Sequence, residues 1–393
     1  MNVDKLRVDF PILARGIIYM DSACVSLKPR QVVEVMNKYY LEFPACGGRS
    51  MHRLGNHVTR EIENSRKTIA KFFNAKPNEI IFTRNTTESI NLVASSFGLK
   101  PGDKVVITDK EHNSNLLPWQ RLAQHGIICE FVKSNPDNTF NLEEFKKKVV
   151  GAKLVSVVHT SNLDGVTNPA REIIKIAHEN NAVVMLDAAQ SAAHQAIDVH
   201  RLDVDFLACS GHKMLGPSGI GILYGKERLL EKLPPHYVGG DTVKDTTYTT
   251  ATFEEPPGKF EAGLQNYAGI IGFAEAVRYI ERVGVGNIAK HEEHLNRIIT
   301  EAFLKMGIEI LGPKDPSLRG GIISFNIPGK DPHEVAMMLD HSANVMIRSG
   351  AHCVHSWFNA HNMKGTARIS LYIYNTEGEC KRLIEAMAKI MRL

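Results

Sequence analysis

A lysine and an aspartate each follow an apolar run in the middle of the chain. Lys213 stands in CSGHKMLGPSGIG, between the run VDFLAC and a glycine-rich turn, and Asp187 ends the run AVVMLD. Lysine is ordinarily a solvated surface residue, so this setting indicates a buried amine. From these two residues alone, a buried ion pair that joins two strands and a catalytic pair are equally good interpretations.

Hydroxyl and imidazole groups fall close to the same predicted positions. Thr86 and Thr87 open a predicted helix, and Ser210 and His212 directly precede Lys213. A helix N-terminus with hydroxyl groups is suited to binding phosphate. A phosphate site, a lysine amine and a strand-end carboxylate are together what pyridoxal 5′-phosphate (PLP) requires. The amine forms a Schiff base, and the carboxylate keeps the pyridine nitrogen protonated.

Seven apolar runs alternate with helical patterns and must position these groups. We predict strands at EIIFT (79–83), DKVVIT (103–108), IICEFV (127–132), KLVSVVH (153–159), AVVMLD (182–187), VDFLAC (204–209) and GIGILY (219–224). Strands that are apolar throughout and joined through helices indicate an α/β fold with a mostly parallel sheet covered by helices. The short link before GIGILY allows one antiparallel strand. Ligands bind beyond the carboxyl ends of such strands, where His112 and Asn162 also fall.

The pattern changes after about residue 266. A long helical region (270–306) precedes shorter predicted strands at 321–327, 343–348 and 367–374 and a closing helix at 377–391. We therefore predict a large PLP-binding domain at 16–266. A smaller α+β C-terminal domain is predicted at 267–393, completed by residues 1–15. The polar stretch 241–259 is predicted to be a loop over a site or an interface.

Composition excludes several classes of protein. The 393 residues carry a net charge of +4 with scattered Lys and Arg, so no polyanion-binding stripe is present and no nucleic-acid partner is expected. No apolar run approaches the roughly 20 residues that span a bilayer, and MNVDKLRVDFPILARG lacks the apolar core of a signal peptide. We expect a cytoplasmic protein without a membrane partner. The six cysteines show no zinc-like spacing, so no metal site is predicted.

Nine segments, in order along nearly the whole chain, resemble the class V aminotransferase superfamily of fold-type-I PLP enzymes. Within it the chain is most similar to the cysteine desulfurases, in the branch that includes selenocysteine lyase-like enzymes. The segments are IYMDSACVSLKP, EIIFTRNTTESINLVA, DKEHNSNLLPWQ, HTSNLDGVTNP, VMLDAAQS, CSGHKMLGPSGIGILYG, FEAGLQN, RSGAHCVHSW and ARISLYIYNT. SGHK followed by GPxGxG is the most specific of them. The resemblance implies PLP as cofactor, L-cysteine as substrate, a homodimer with sites near its interface, and a sulfur-acceptor protein as a further partner.

The resemblance also implies a role for each matched residue. Lys213 is the Schiff-base lysine, Asp187 pairs with the pyridine nitrogen, and His112 stacks on the ring. Gln190 contacts the phenolic oxygen. The residues assigned to the phosphate are Thr87, Ser210 and His212, and those assigned to the substrate side are Asn162, Arg368, Arg348 and His52. Without the family match, Arg368 reads as an exposed charge on a C-terminal strand.

The segment RSGAHCVHSW distinguishes among the reactions that PLP supports. Cys353 lies there beside Arg348, His352 and His355, a basic setting of the kind that favours a reactive thiolate. In the desulfurases a cysteine at this position takes the substrate's sulfur as a persulfide and leaves alanine, while Lys213 or His112 manages the proton at the α-carbon. The short loop resembles the branch that releases sulfur slowly without an acceptor or strong reductant.

Other cysteines and several departures from the family pattern qualify this interpretation. Cys24, in DSACVS, is interpreted as a bystander. The usual Asn-Ala-Ala is Asp21-Ser22-Ala23, and Leu264 replaces a Thr or Ser that related enzymes often donate to the neighbouring subunit's phosphate. Asp164, in SNLDG, is expected near the substrate side.

Three alternatives stay open at this stage. The chain could be a selenocysteine lyase, or another enzyme of the family such as a kynureninase-like hydrolase or an epimerase-like relative. It could also be a sulfur-transfer scaffold without activity. The acceptor is equally open between an iron–sulfur cluster assembly scaffold, a tRNA thiolation protein and a free reductant.

Overall fold

The structure is a computed structural model that describes residues 1–392. Its α-helices are α1 (Val3–Arg7), α2 (Arg30–Glu42), α3 (Arg53–Phe72), α4 (Thr86–Ser96), α5 (Asn113–Ala123), α6 (Leu142–Lys148), α7 (Ala170–Glu179), α8 (Val199–Leu202), α9 (Glu227–Leu230), α10 (Tyr267–Val283), α11 (Val285–Lys305), α12 (Pro332–Ala343), α13 (His355–Ala360) and α14 (Glu377–Ile390). Its strands are β1 (Ile18–Tyr19), β2 (Ile80–Thr83), β3 (Lys104–Thr108), β4 (Ile128–Val132), β5 (Ala152–Val158), β6 (Val183–Asp187), β7 (Phe206–Ser210), β8 (Gly221–Gly225), β9 (Val243–Thr246), β10 (Ala251–Phe253), β11 (Glu309–Ile310), β12 (Ile322–Asn326), β13 (Val345–Met346), β14 (Arg348–Gly350) and β15 (Thr366–Ser370).

A seven-stranded sheet forms the centre of the molecule, in the order β2-β8-β7-β6-β5-β3-β4. The pairs from β4 through β7 are parallel, whereas β8 is antiparallel to both β7 and β2. The predicted mostly parallel α/β sheet is therefore confirmed, together with its antiparallel strand. Each of the seven predicted strands is present, with ends that differ from the prediction by at most two residues.

Alternate residues of the central strands pack into two separate hydrophobic clusters. Val106, Val155 and Val184 belong to one cluster, and their chain neighbours Val105 and Leu154 belong to the other. Side chains along a strand point alternately to opposite faces, so both faces of this sheet are buried. This explains why the strands read as continuous apolar runs.

A second core is built around the antiparallel sheet β11-β12-β15-β14. Helices α11, α12 and α14 cover it with apolar side chains such as Leu295, Leu339 and Leu383, which meet Ile323 and Ile369 of the sheet. The smaller α+β unit at the C-terminal end of the chain is therefore present as expected.

The exact domain limits stay a prediction, and the packing differs from it at two places. Helix α10 lies in the first core with Phe273 and Val277, so on packing alone it belongs to the large unit. Residues 1–15 contact both units: Phe10 packs in the first core, whereas Arg7 pairs with Glu379 of α14 at 2.7 Å. Apolar periodicity identifies a helix but not the sheet on which it packs.

Two further expectations are corrected in detail. The helical region 270–306 is two helices, because Gly284 adopts φ 84° between α10 and α11. Segment 241–259 is not a loop throughout, since β9 and β10 pair as an antiparallel hairpin within it. The hairpin residues are largely exposed, which is why the segment has the polar composition of a loop.

Candidate active site

The site lies at the carboxyl ends of β6 and β7, where helices α4 and α5 begin. A cavity of about 230 Å³ opens there. The predicted residues that line it are Lys213, Asp187, Gln190, His112, Thr87, Ser210, His212 and Asn162. The structure therefore brings into one cavity all the residues that the sequence assigned to the cofactor.

Hydroxyl groups cluster at the N-terminus of α4, at one end of the cavity. Ser210 Oγ accepts a hydrogen bond from the Thr86 backbone N–H at 2.9 Å and lies 2.7 Å from Thr86 Oγ1. Thr87 Oγ1 lies 2.7 Å from Ser114 Oγ. A side chain at Gly221 would place its Cβ 2.9 Å from Cα of Asn85, the N-cap of α4, so glycine permits β8 to start close to this helix end. Such a collection of N–H and O–H groups suits a phosphate.

Lys213 and Asp187 lie at neighbouring ends of β7 and β6. Asp187 is buried, and its Oδ1 accepts the Ala189 backbone N–H at 2.9 Å. Burial lowers the pKa of the Lys213 amine, although the negative charge of Asp187 acts to raise it. Burial also raises the pKa of the Asp187 carboxyl group. A lowered lysine pKa favours the neutral, nucleophilic amine.

His112 caps helix α5 from the cavity wall. Its Nδ1 accepts the Ser114 backbone N–H at 3.0 Å. Burial, followed by the nearby Lys213, lowers the pKa of the imidazole to about 3. The ring is therefore neutral near pH 7, as suits a residue that stacks on a flat cofactor. Gln190 is fixed by a 2.7 Å hydrogen bond from its Nε2 to the Ala23 carbonyl.

Arg368 reaches the site from β15 of the second core. Its Nη1 donates to the Asn162 carbonyl at 3.0 Å, and its Nη2 donates to Asp21 Oδ1 at 3.3 Å. Among the described residues, Arg368 Nε and Asn162 Oδ1 are buried without a hydrogen-bond partner. Arg368 is 1% exposed, so the interpretation as an exposed charge is wrong. A buried guanidinium with an unused donor suits a carboxylate.

Cys353 lies on a loop that two hydrogen bonds tie to the cavity wall. The Asn113 backbone N–H donates to the Cys353 carbonyl at 2.7 Å, and Asn162 Nδ2 donates to the His352 carbonyl at 2.7 Å. Both loop residues have left-handed backbones, with φ of 48° at His352 and 60° at Cys353. Arg348 Nη2 approaches Cys353 Sγ at 3.8 Å. The loop therefore holds the thiol beside the cavity and next to a cation.

Two predicted neighbours of the substrate are placed elsewhere in the chain's own fold. His52 is exposed and caps α3, where its Nδ1 accepts the Gly55 N–H at 3.3 Å. Asp164 does not line the cavity; it is fully buried and pairs with Lys110 Nζ at 2.8 Å. Leu264 is 69% exposed, away from the cavity.

The cavity wall also contains residues that the sequence interpretation missed. They are Ala23, Cys24, Asn85, Ser114, Val158 and Ala189. Cys24, interpreted from the sequence as a bystander, lines the cavity, and its Sγ receives a 3.0 Å hydrogen bond from Arg348 Nη1. Its position inside the matched segment IYMDSACVSLKP was the signal available in the sequence.

The residues present fit PLP. Hydroxyls and a helix N-terminus lie at one end of the cavity for a phosphate, a lysine amine and a carboxylate lie at the ends of adjoining strands, and a neutral imidazole stands on the wall. Within residues 1–392, no cluster of three or more His, Cys, Asp or Glu side chains is arranged to hold a metal ion. In the same residues, no helix has the length and apolarity needed to cross a membrane.

Comparison with known proteins agrees with this geometry. The aminotransferase class-V family matches residues 18–383. A probable cysteine desulfurase of Pyrococcus abyssi is 40% identical over 393 residues, covering 99% of this chain and 98% of the relative. A similar relative from Staphylococcus aureus is 40% identical over 398 residues, covering 98% of this chain and 96% of the relative.

Solved structures are similar over the whole chain. The apo cysteine desulfurase of Thermococcus onnurineus NA1 is 41% identical with a TM-score of 0.96, covering 99% of this chain and 98% of that one. The cysteine desulfurase CsdA of Escherichia coli, solved as an S-sulfonic acid, is 30% identical with a TM-score of 0.93, covering 100% of this chain and 99% of that one. This protein therefore belongs to the aminotransferase class-V family.

Proposed function

We propose that this protein is a PLP-dependent cysteine desulfurase that converts L-cysteine to L-alanine and carries the sulfur as a persulfide on Cys353. Relatives at about 40% identity over nearly the whole chain bear this name. The observation that carries the proposal is the Cys353 loop, which Asn113 and Asn162 tie to the wall of the Lys213 cavity.

The chain's residues have distinct tasks in this reaction. PLP, when bound, supplies an electron sink for charge that develops at the substrate's α-carbon. Lys213 would hold the cofactor covalently, and Asp187 would keep its ring nitrogen protonated. Arg368 and Asn162 orient the substrate carboxylate, with the guanidinium offering the fork that such a group prefers.

Proton transfer at the α-carbon falls to Lys213 rather than His112. Burial lowers the pKa of the lysine amine, which favours the neutral form that can accept a proton. The pKa of His112 is about 3, which leaves its ring a poor proton acceptor there. The His112 imidazole would instead stack on the pyridine ring of PLP and hold it in position.

Sulfur transfer is a displacement at the substrate's Sγ. The Cys353 thiolate forms a new S–S bond, the substrate's Cβ–Sγ bond breaks, and the electrons of that bond are protonated at Cβ to give alanine. The step needs no added oxidant, because the electrons of the broken C–S bond stay on the carbon. Cys353 therefore ends as a persulfide that carries the substrate's sulfur. An acceptor protein or a thiol then takes the outer sulfur.

We further propose a homodimer that works in the cytoplasm and passes sulfur to an acceptor protein. Three segments carry exposed apolar side chains, which include Leu41, Met51, Val238 and Leu264. Arg49 pairs with Asp241, and the Gly263 N–H donates to the Gly240 carbonyl at 2.8 Å, which brings these segments side by side. An apolar patch of this kind suits contact with a second copy.

The test is production of alanine by the purified PLP-loaded protein. With L-cysteine and a thiol reductant, the wild type is expected to release alanine and sulfide in equal amounts. Cys353→Ser should bind L-cysteine with an unchanged spectral response of the cofactor but release almost no alanine. Cys129→Ser is the matched control, because Cys129 is a partly buried thiol whose Sγ hydrogen-bonds the Trp119 carbonyl. Full alanine turnover by Cys353→Ser would refute the assignment. The same assay with L-selenocysteine separates desulfurase from selenocysteine lyase activity.

A further inference from the structure

Two thiols share one guanidinium at the edge of the cavity. Arg348 Nη1 donates to Cys24 Sγ at 3.0 Å, and Arg348 Nη2 donates to Cys353 Sγ at 3.8 Å. The two nitrogens belong to the same planar group, so the sulfurs lie on either side of a single fork. The Cys353 thiol therefore has a second thiol as a near neighbour, with a cation between them.

Cys24 is held firmly at this place. The Cys24 backbone N–H donates to the Asp21 carbonyl at 3.1 Å, and the Ala23 N–H before it donates to Ser370 Oγ at 3.0 Å. The Ala23 carbonyl accepts Gln190 Nε2 at 2.7 Å. The Cys24 side chain is only partly buried and lines the cavity, so a reagent in the cavity can reach its thiol.

We propose that Cys24 is a second persulfide-carrying site, which takes the outer sulfur from a persulfide on Cys353. The inference deepens the proposed function and rests on it. A persulfide extends Cys353 by one S–S bond of about 2.05 Å, so the transferable sulfur can reach further towards Cys24 than the Cys353 Sγ itself. Direct disulfide formation is less favoured by this geometry, because it requires the two Sγ atoms themselves to meet across the Arg348 side chain.

The transfer balances without any added reagent. The Cys24 thiolate attacks the outer sulfur, a Cys24 S–S bond forms, and the Cys353 S–S bond breaks. Cys353 leaves as a thiolate beside Arg348, and the outer sulfur keeps its proton or electron pair. Both sides of the exchange hold one persulfide and one thiolate, so nothing is oxidised or reduced.

The consequence is a site that stores two sulfur atoms. Once Cys24 holds the first, Cys353 is again free to accept sulfur from a second substrate molecule. Without an acceptor or reductant, the wild-type protein should therefore make two alanine molecules per chain in its initial burst. Cys24→Ser should make one.

The experiment mixes PLP-loaded protein with a small molar excess of L-cysteine over chains, without added thiol reductant, and quenches the burst by alkylation before free cysteine removes sulfur from the protein. Alanine per chain is then counted. Alkylation and peptide mass mapping then locate the sulfur. The wild type is expected to carry an added sulfur on both the Cys24 and Cys353 peptides, and Cys24→Ser on the Cys353 peptide alone. Cys46→Ser, which removes a partly buried cysteine outside the cavity wall, should behave as the wild type.

Several outcomes would overturn the inference. One is a wild-type burst of one alanine with sulfur on Cys353 alone. Another is sulfur on Cys24 in Cys353→Ser, because Cys24 would then take it directly from substrate. A third is a loss of 2 Da with release of free sulfide, which would reveal a Cys24–Cys353 disulfide. Failure of the proposed function itself is distinguishable, since the wild type would then make no alanine at all.

Discussion

The Arg368 guanidinium donates to the backbone carbonyl of Asn162 at 3.0 Å. This hydrogen bond joins β15 of the second core to the segment that follows β5 of the central sheet. The proposed substrate carboxylate site is thus assembled from both cores. Asp21 accepts a second hydrogen bond from the same guanidinium at 3.3 Å, which holds the fork in place.

Replacing Arg368 by lysine should weaken substrate binding selectively. Lysine keeps the charge but loses the planar fork, and a hydrogen bond to a charged group contributes about 1.5–3 kcal/mol. We expect KM for L-cysteine to rise roughly 10- to 100-fold, with the cofactor spectrum unchanged. Steady-state alanine production measures both parameters. Arg297→Lys, at an exposed arginine paired with Glu293, is the control, and an unchanged KM in Arg368→Lys would remove Arg368 from the substrate site.

Lys213 should be the amine that bonds to PLP. Lys213→Ala is expected to lose covalent attachment of the cofactor after borohydride treatment, and to lose activity by roughly 10³-fold or more. Lys28 is the sharpest control, because burial lowers its pKa to about 8 and its Nζ lies 3.1 Å from the His212 carbonyl. Lys28→Ala should keep the attachment. Peptide mapping that finds PLP on a residue other than Lys213 in the wild type or in Lys28→Ala would contradict the site.

Asp187→Asn tests the carboxylate without disturbing its surroundings. Asparagine can still accept the Ala189 N–H that Asp187 Oδ1 accepts at 2.9 Å. The lost charge should reduce kcat by roughly 100- to 1000-fold while the cofactor stays bound, since a neutral partner cannot keep the pyridine nitrogen protonated. Asp109→Asn, at a carboxylate that accepts hydrogen bonds from Ser134, is the matched control. A kcat equal to that of the wild type in Asp187→Asn would show that the Asp187 charge is not needed to keep the pyridine nitrogen of PLP protonated.

The buried His159 should make the protein less stable in acid. Burial lowers its pKa from 6.5 to about 4, so below pH 6.5 the unfolded chain binds more protons at this residue than the folded one. The stability it contributes is complete above pH 6.5 and is lost as the pH falls toward 4. The slope is at most about 1.4 kcal/mol per pH unit, or roughly 3 kcal/mol in total.

Urea denaturation between pH 4.5 and 7.5 measures this dependence. His159→Gln should flatten the curve of unfolding free energy below pH 6.5, whatever its effect on stability at pH 7. His125→Gln, at an exposed histidine, should leave the shape of the curve unchanged. Identical slopes for wild type and His159→Gln would show that His159 titrates normally in the folded protein.

The central sheet and the cofactor end of the site could be predicted from the sequence for the same physical reason. Parallel strands bury both faces, so each reads as an apolar run, and their polar end residues must meet at one edge. Asp187 and Ser210 end neighbouring strands in this way, and Lys213 follows directly. These positions depend on local pattern and strand direction alone.

The remaining features depend on contacts between distant segments. Asp164 read as a substrate neighbour because nothing local reveals that Lys110, 54 residues earlier, pairs with it. Cys24 likewise contacts Arg348, 324 residues later in the sequence, where β1 pairs with β13. No periodicity records such pairings, since they depend on how segments distant in the sequence pack against one another.

The left-handed backbone at His352 and Cys353 limits how this loop could be transplanted. A left-handed backbone costs conformational energy for residues other than glycine, and two such residues in succession both carry this cost. A graft that copied Cys353 into a homologous scaffold, but placed valine or isoleucine before it, would disfavour this backbone conformation and point the thiol in another direction. The main-chain conformation at position 352 therefore restricts which side chains fit there, independently of any chemistry that the imidazole performs.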